Sequence, residues 1–137
     1  MEPVTDLQQL IAHLRPVLRA ETLVFCTLRP SQLHLLARLE PFATVQEAEG
    51  LSVVTPQQRA IELGVATSAP FRCITLEVLS SLEAVGLTAA VATALAEIDV
   101  AANVIAGAHH DHLLVPVDDA ERAMAALEAL SVGGAGG

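Results

Sequence analysis

The same order of predicted elements occurs twice along the 137 residues, and this repeat restricts the fold more than any other feature. Each half contains a strand, a helix, two strands and a second helix, in that order. With one returning strand, each half becomes a βαββαβ unit whose helices pack on one face of an antiparallel sheet. The sequence therefore predicts an α+β protein built from two ferredoxin-like halves.

In the first half, residues 21–28 are rich in β-forming side chains and predict a strand. A hairpin is expected around Glu49 and Gly50, followed by a helix between Pro56 and Gly64. Residues 6–19 predict a preceding helix, which Pro16 should end or kink. Its apolar face would carry Leu7, Leu10, Ile11, Leu14 and Leu18.

In the second half, residues 71–78 predict a strand and residues 80–99 contain a long helix. A strand pair is expected around Asp111. Asp118 would cap the last helix, with Glu121 completing a capping box. We therefore divide the chain into an N-terminal helix plus first half (1–66), a second half (67–132) and a flexible tail (133–137).

Charge and composition exclude several classes of function. Seven arginines oppose sixteen acidic residues, which gives a net charge of -9 and no basic patch, so nucleic-acid and membrane partners are not expected. Lysine is absent, which excludes Schiff-base chemistry and the P-loop lysine. No apolar run has membrane-spanning length and the N-terminus lacks signal-peptide features, so we expect a cytoplasmic protein.

The two cysteines lie in separate β-like runs without C-x-x-C spacing. We expect Cys26 and Cys73 to be buried, reduced thiols, and a disulfide between them is the minor alternative. No cofactor is implied by any motif.

Residues 83–100, E-A-V-G-L-T-A-A-V-A-T-A-L-A-E-I-D-V, resemble the first strand-to-helix segment of the ACT domain, a small-molecule-sensing βαββαβ module. The shared positions are Glu83, Gly86, Leu87, Leu95, Ala96 and Glu97. From about Asp6 to Leu130, the chain also resembles an uncharacterised bacterial family of stand-alone tandem ACT proteins. Val85 replaces the usual proline and Asp99 replaces the usual glycine, although aspartate tolerates the left-handed conformation.

The resemblance implies a ligand site at the start of the second-half helix. Gly86 has no Cβ, so a ligand could approach the free N–H groups and positive dipole end of that helix. An amino acid would place its carboxylate there and offer its ammonium group to Glu83 or Asn103. The alternative is that Gly86 only permits tight packing. The expected ligand-binding residues are Glu83, Ala84, Val85, Gly86, Leu87 and Asn103.

Residues 107–116, G-A-H-H-D-H-L-L-V-P, contain three of the five histidines. On a hairpin, His109 would point away from His110, and only His110 and His112 could face one another. We therefore expect a polar tip around Asp111, with metal binding through His109, His110 and His112 as a minor alternative.

The sequence thus predicts a non-catalytic regulatory protein that binds a small molecule, most simply an amino acid, and that forms a homodimer or larger homo-oligomer. The alternative from another class is a self-association module without a ligand, whose edge strands pair between subunits.

Overall fold

A computed structural model describes residues 6–78 and 84–136, with only the backbone of residues 132–136. Within these ranges the helices are Leu7–Ala12 (α1), Leu36–Leu39 (α2), Gln57–Leu63 (α3), Leu87–Ala96 (α4) and Ala120–Gly136 (α5). The strands are Pro16–Leu28 (β1), Ala43–Glu47 (β2), Gly50–Pro56 (β3), Phe71–Leu76 (β4), Asn103–Ala106 (β5) and Asp111–Pro116 (β6). Two 3-10 turns, Pro30–Leu35 and Val117–Asp119, precede α2 and α5.

The chain forms two compact units. The smaller unit comprises Glu21–Phe71, and the larger unit comprises Met1–Ala20 together with Arg72–Gly137. Strand β1 contributes to both units because its residues lie on either side of position 20. The boundaries of these units differ from the division of the sequence after residue 66. That division describes the sequence repeat, and it stays a prediction.

The smaller unit contains a sheet in the order β2-β3-β1, with antiparallel pairing. Alternate β1 residues enter its core because successive side chains of a strand point to opposite faces. This core consists of Val24, Cys26, Leu28, Leu39, Val53 and Ala60. The hydroxyl of buried Thr55 donates a hydrogen bond to the carbonyl of Leu39, which joins β3 to the end of α2.

Turn chemistry sets the limits of the elements in the smaller unit, largely as predicted. The β2–β3 register closes at Glu47 and Gly50. Gly50 has φ 142°, and a Cβ there would lie 2.9 Å from the Leu28 carbonyl oxygen, so the position requires glycine. Pro56 immediately precedes α3, and Gly64 ends that helix in the left-handed conformation.

The larger unit contains strands in the order β1-β4-β6-β5. Its elements β4, α4, β5, β6 and α5 follow the predicted order, and the N-terminal part of β1 supplies the fourth strand. This confirms the α+β, ferredoxin-like fold class. The apolar core between sheet and helices consists of Leu10, Leu14, Ile74, Leu76, Val78, Leu87, Val91, Leu95, Val100, Leu113, Val115, Ala120, Ala123 and Leu127.

The first predicted helix is too long. Helix α1 ends at Ala12, and β1 begins at Pro16, so Leu18 lies in a strand. The proline ring fixes φ and removes an N–H donor, which a strand's first position tolerates and a helix interior does not.

Helix α4 covers Leu87–Ala96, within the range 80–99 that was predicted to contain a helix, and residues 80–83 lie outside the described residues. Two further helix limits differ from the predictions. Asp118 lies inside a 3-10 turn after Pro116, so α5 begins later, at Ala120. Helix α5 continues to Gly136, where a flexible tail was expected. Each residue added to an existing helix also adds one hydrogen bond. This gain offsets part of the entropy that a glycine loses when it becomes helical.

Asp99, which follows α4, has φ 57°. This confirms that aspartate adopts the left-handed conformation at the position where the ACT pattern usually has glycine. Neither of the described parts of the chain contains a helix that is long and apolar enough to cross a membrane.

Candidate ligand site at the start of helix α4

Helix α4 begins after a glycine, which has no side chain of its own to cap the helix. Gly86 has φ 101° and ψ −19°, and among residues 6–78 and 84–136 no side-chain cap is present at this position. The Ala90 N–H donates to the Gly86 carbonyl at 2.9 Å, which closes the first helical turn. The preceding amides of Leu87, Thr88 and Ala89 have no intrahelical acceptor, as in the first turn of any α-helix. These donors and the positive end of the helix dipole form a local environment that favours a carboxylate.

Leu7 lies against this corner, a contact that sequence patterns did not reveal. A Cβ added to Gly86 would lie 3.0 Å from Leu7 Cδ2. The Leu7 side chain therefore occupies the side of Gly86 that a larger residue would need. Leu7 is 36% exposed, so this apolar cover lies at the surface. A ligand at the corner would contact the side chain of Leu7.

The other predicted site residues differ strongly in exposure. Ala84 packs against the core of the larger unit, and Leu87 is 4% exposed within that core. Val85, where the family pattern usually has proline, is 83% exposed. The two residues directly before Gly86 therefore differ in environment: Ala84 lies against the core, and Val85 lies at the surface. Glu83 lies outside the described residues.

Asn103 is the first residue of β5 and is exposed. Its partner in the β5–β6 register is Leu114. Its side-chain amide makes no hydrogen bond within residues 6–78 and 84–136.

The histidine-rich segment forms the predicted β5–β6 hairpin. The Gly107 N–H donates to the His110 carbonyl at 2.9 Å and closes the turn between the strands. His109 is exposed, whereas His110 and His112 are half-buried. His112 Nδ1 lies 3.0 Å from the hydroxyl oxygen of Thr75 on β4. This contact was not predicted, although the sequence around Thr75 and around His112 has the pattern of a β-strand.

Burial lowers the pKa of His112, and the nearby His110 and Arg19 lower it further, while Asp111 opposes them. These effects favour the neutral form of the His112 ring. Within residues 6–78 and 84–136, no three histidine, cysteine or acidic side chains are arranged to hold a metal ion. The metal-binding alternative through His109, His110 and His112 thus has no geometric support there, and metal retained after dialysis against a chelator would restore it.

Cys26 and Cys73 are both buried and form no disulfide, so the alternative of a disulfide between them is wrong. Burial raises the pKa of the Cys26 thiol, which keeps it protonated and unreactive at neutral pH.

Two surface cavities formed by described residues of the smaller unit contain none of the predicted site residues. One of about 230 Å³ is lined by Ala37, Arg38, Glu40, Arg59, Glu62 and Leu63. In it, Arg59 forms ion pairs of 3.1 Å with both Glu40 and Glu62. The other, of about 270 Å³, is lined by Glu21, Thr22, Pro56, Gln57 and Gln58. We place the candidate site at α4 because neither cavity is lined by a residue of the ACT-like motif.

The fold defines the chain as an α+β protein of two small units, each built from strands and helices. Two models of the ACT domain match residues 2–72 and 68–129. The chain belongs to the ACT domain family.

Solved structures agree with this assignment. A Vibrio cholerae protein of unknown function, described as a possible transport protein, is 46% identical with a TM-score of 0.83 over 91% of this chain and 95% of its own. The regulatory subunit of aspartate kinase from Thermus flavus is 11% identical, with a TM-score of 0.58 over 84% of this chain and 95% of its own. Aspartokinase III of E. coli, solved with aspartate and ADP, is 16% identical, with a TM-score of 0.63 over 84% of this chain and 32% of its own. No curated protein matches.

Proposed function

We propose that this protein is a non-catalytic regulatory protein of the cytoplasm that binds an amino acid at the start of α4. The observation that carries the proposal is the first turn of α4, which has no capping side chain among the described residues and begins at Gly86, a residue without a side chain of its own. Membership of the ACT family supports a regulatory role. The similarity in fold to a regulatory subunit of aspartate kinase is consistent with it.

The proposed ligand chemistry follows from the groups present at the corner. The amides of Leu87, Thr88 and Ala89 would bind the ligand's carboxylate, since these donors lack intrahelical partners. The ligand's ammonium group would donate to the side-chain oxygen of Asn103 or to the carboxylate of Glu83. Leu7 and Val85 would contact an apolar ligand side chain. This arrangement holds and orients a ligand and needs neither a cofactor nor a catalytic group.

A thermal-shift panel of the twenty amino acids tests the proposal. We expect one or two of them to raise Tm saturably, by an amount that follows RT ln(1 + [L]/Kd). Asn103→Ala should weaken the shift without lowering the Tm of the free protein, because the side chain is exposed and makes no hydrogen bond within the described ranges.

Gln46→Ala on β2 is the matched control, because it also truncates an exposed amide side chain on a strand. It should leave the ligand-induced shift unchanged. A flat panel, or equal losses in both variants, would count against an amino-acid site at α4.

The second candidate function is self-association without a ligand, and the composition of β5 favours it. β5 is at the edge of the larger unit's strand order, and residues 101–108, A-A-N-V-I-A-G-A, contain no charge and no proline. Natural edge strands usually carry charged residues or proline, which prevent pairing with another chain. A homodimer through β5 would satisfy its free backbone groups. A concentration-independent dimer in sedimentation, together with a flat amino-acid panel, would favour this candidate over the first.

A further inference from the structure

β5 is held weakly on its hairpin. It has only four residues, and β6 is its sole neighbour in the strand order of the larger unit. Three of its four residues are exposed. Short, exposed elements at a sheet edge open at a lower free energy than core strands do. A small change in the free energy of the β5–β6 hairpin is therefore enough to determine whether β5 stays paired with β6.

The imidazole of His112 lies at the centre of this hairpin. His112 is the register partner of Ile105 on β5. Its Nδ1 lies 3.0 Å from the Thr75 hydroxyl oxygen, and Thr75 is 2% exposed. On its other side the ring packs against the turn, since a Cβ on Gly107 would lie 3.4 Å from His112 Nε2. The ring thus contacts β4 and the turn that leads back from β5.

A second imidazole lies close to the first. His110 Nδ1 is shielded from solvent and has no hydrogen-bond partner among the described residues. The carbonyl of His110 is held by the Gly107 N–H, which fixes the residue in the turn. A proton on this nitrogen would therefore lack an acceptor within the described ranges.

Several charged and titratable groups lie on the strands and the turn around His112. Arg19 on β1 and His110 in the turn disfavour a positive charge on the ring, while Asp111 at the start of β6 favours it. From β4, Cys73 contacts Thr75, with 4.0 Å between Sγ and Oγ1. His109 is in the turn and exposed. Burial has the largest effect and lowers the pKa of His112, and the two basic groups outweigh Asp111.

Protonation of His112 would reverse its hydrogen bond without breaking it. If the Thr75 hydroxyl donates to neutral Nδ1, then in the charged ring Nδ1–H must donate to Thr75 Oγ1. The cost of the charge comes first from the partial burial of the ring and then from the nearby His110 and Arg19.

We propose that the β5–β6 hairpin is a proton-responsive element, in which protonation of His112 beside His110 releases edge strand β5. The open hairpin restores solvent to the ring, so it binds the proton more tightly than the closed hairpin does. Closure is complete above pH 6.5, the ordinary pKa of histidine, and weakens as the pH falls through the lowered pKa of His112. Opening would also displace Asn103, a consequence that rests on the proposed ligand site.

Hydrogen exchange of the ligand-free protein tests this element whether or not an amino acid binds. With EDTA present, amides of residues 104–106 should exchange faster at about pH 5.5 than at about pH 7, after correction for intrinsic rates. One linked proton limits the increase to about tenfold for each pH unit. His112→Asn, which keeps a polar atom near Thr75, should abolish the increase, whereas His109→Asn at the exposed tip should retain it.

Exchange at residues 104–106 that is independent of pH in the wild-type protein would overturn the proposal. The same increase in His112→Asn as in the wild type would also do so. If His112→Asn does not fold, NMR titration of the wild-type His112 ring decides the matter. A midpoint below pH 6.5 is expected, and a midpoint at or above this value would contradict the proposal.

Discussion

Two separate structural constraints favour glycine at position 86, and a comparison with Gly64 distinguishes them. Its φ of 101° is a conformation that residues with a Cβ rarely adopt, and Leu7 Cδ2 would lie 3.0 Å from such a Cβ. Gly64 also has a positive φ, 69°, but no atom lies within 4 Å of the position of its Cβ. Gly64 therefore has the conformational reason alone.

We predict that Gly86→Ala destabilises the protein more than Gly64→Ala does. A left-handed alanine costs about 1–2 kcal/mol, which sets the expected loss for Gly64→Ala. Gly86→Ala should exceed this value because its φ lies farther from the left-handed minimum and because Leu7 must move. Urea unfolding of the two variants measures the difference. Equal losses would mean that the Leu7 contact is easily relieved.

The same residues show what the sequence could and could not reveal about the site. Gly86 was predicted to precede a helix, and α4 begins at the next residue. The contact with Leu7 was not predicted, because it joins residues distant in the chain and leaves no local pattern. Asp99 was predicted from its tolerance of the left-handed conformation, a property of the single residue.

At the scale of elements, the misassigned N-terminal helix has a simple physical explanation. Leu14 and Leu18 are four positions apart, and this spacing puts two side chains on one face of a helix and also on one face of a strand. Both pack with the core of the larger unit, although Leu14 precedes β1 and Leu18 lies within it. The apolar spacing could not distinguish the two structures, whereas Pro16 could.

The short helix α1 depends on its packing, because six residues are too few for a stable isolated helix. Leu10 on α1 is fully buried in the core of the larger unit. We predict that Leu10→Ala reduces the free energy of unfolding by about 2–5 kcal/mol, as is usual for a buried leucine.

Leu7→Ala on the same helix is the control, because Leu7 is 36% exposed. It should cost clearly less than Leu10→Ala in the same urea titration. A loss for Leu10→Ala no larger than that for Leu7→Ala would mean that α1 is not anchored through Leu10.

For the whole molecule, the order of elements was the most reliable prediction. The strand, helix, strand, strand, helix sequence occurs in both halves, and β1 supplies the returning strand that the second half was expected to need. The composition of the two compact units could not be predicted, because it depends on which long-range contacts form. Residues up to Ala20 join those from Arg72 onward.

The central claim is that the first turn of α4 receives the carboxylate of an amino acid. NMR titration of the labelled protein with each amino acid tests it directly, because backbone amide shifts report hydrogen-bond acceptors. We predict that one amino acid shifts the amides of Leu87, Thr88 and Ala89 saturably, together with the side-chain amide of Asn103. No saturable shift with any amino acid, or shifts confined to the cavities of the smaller unit, would contradict the account.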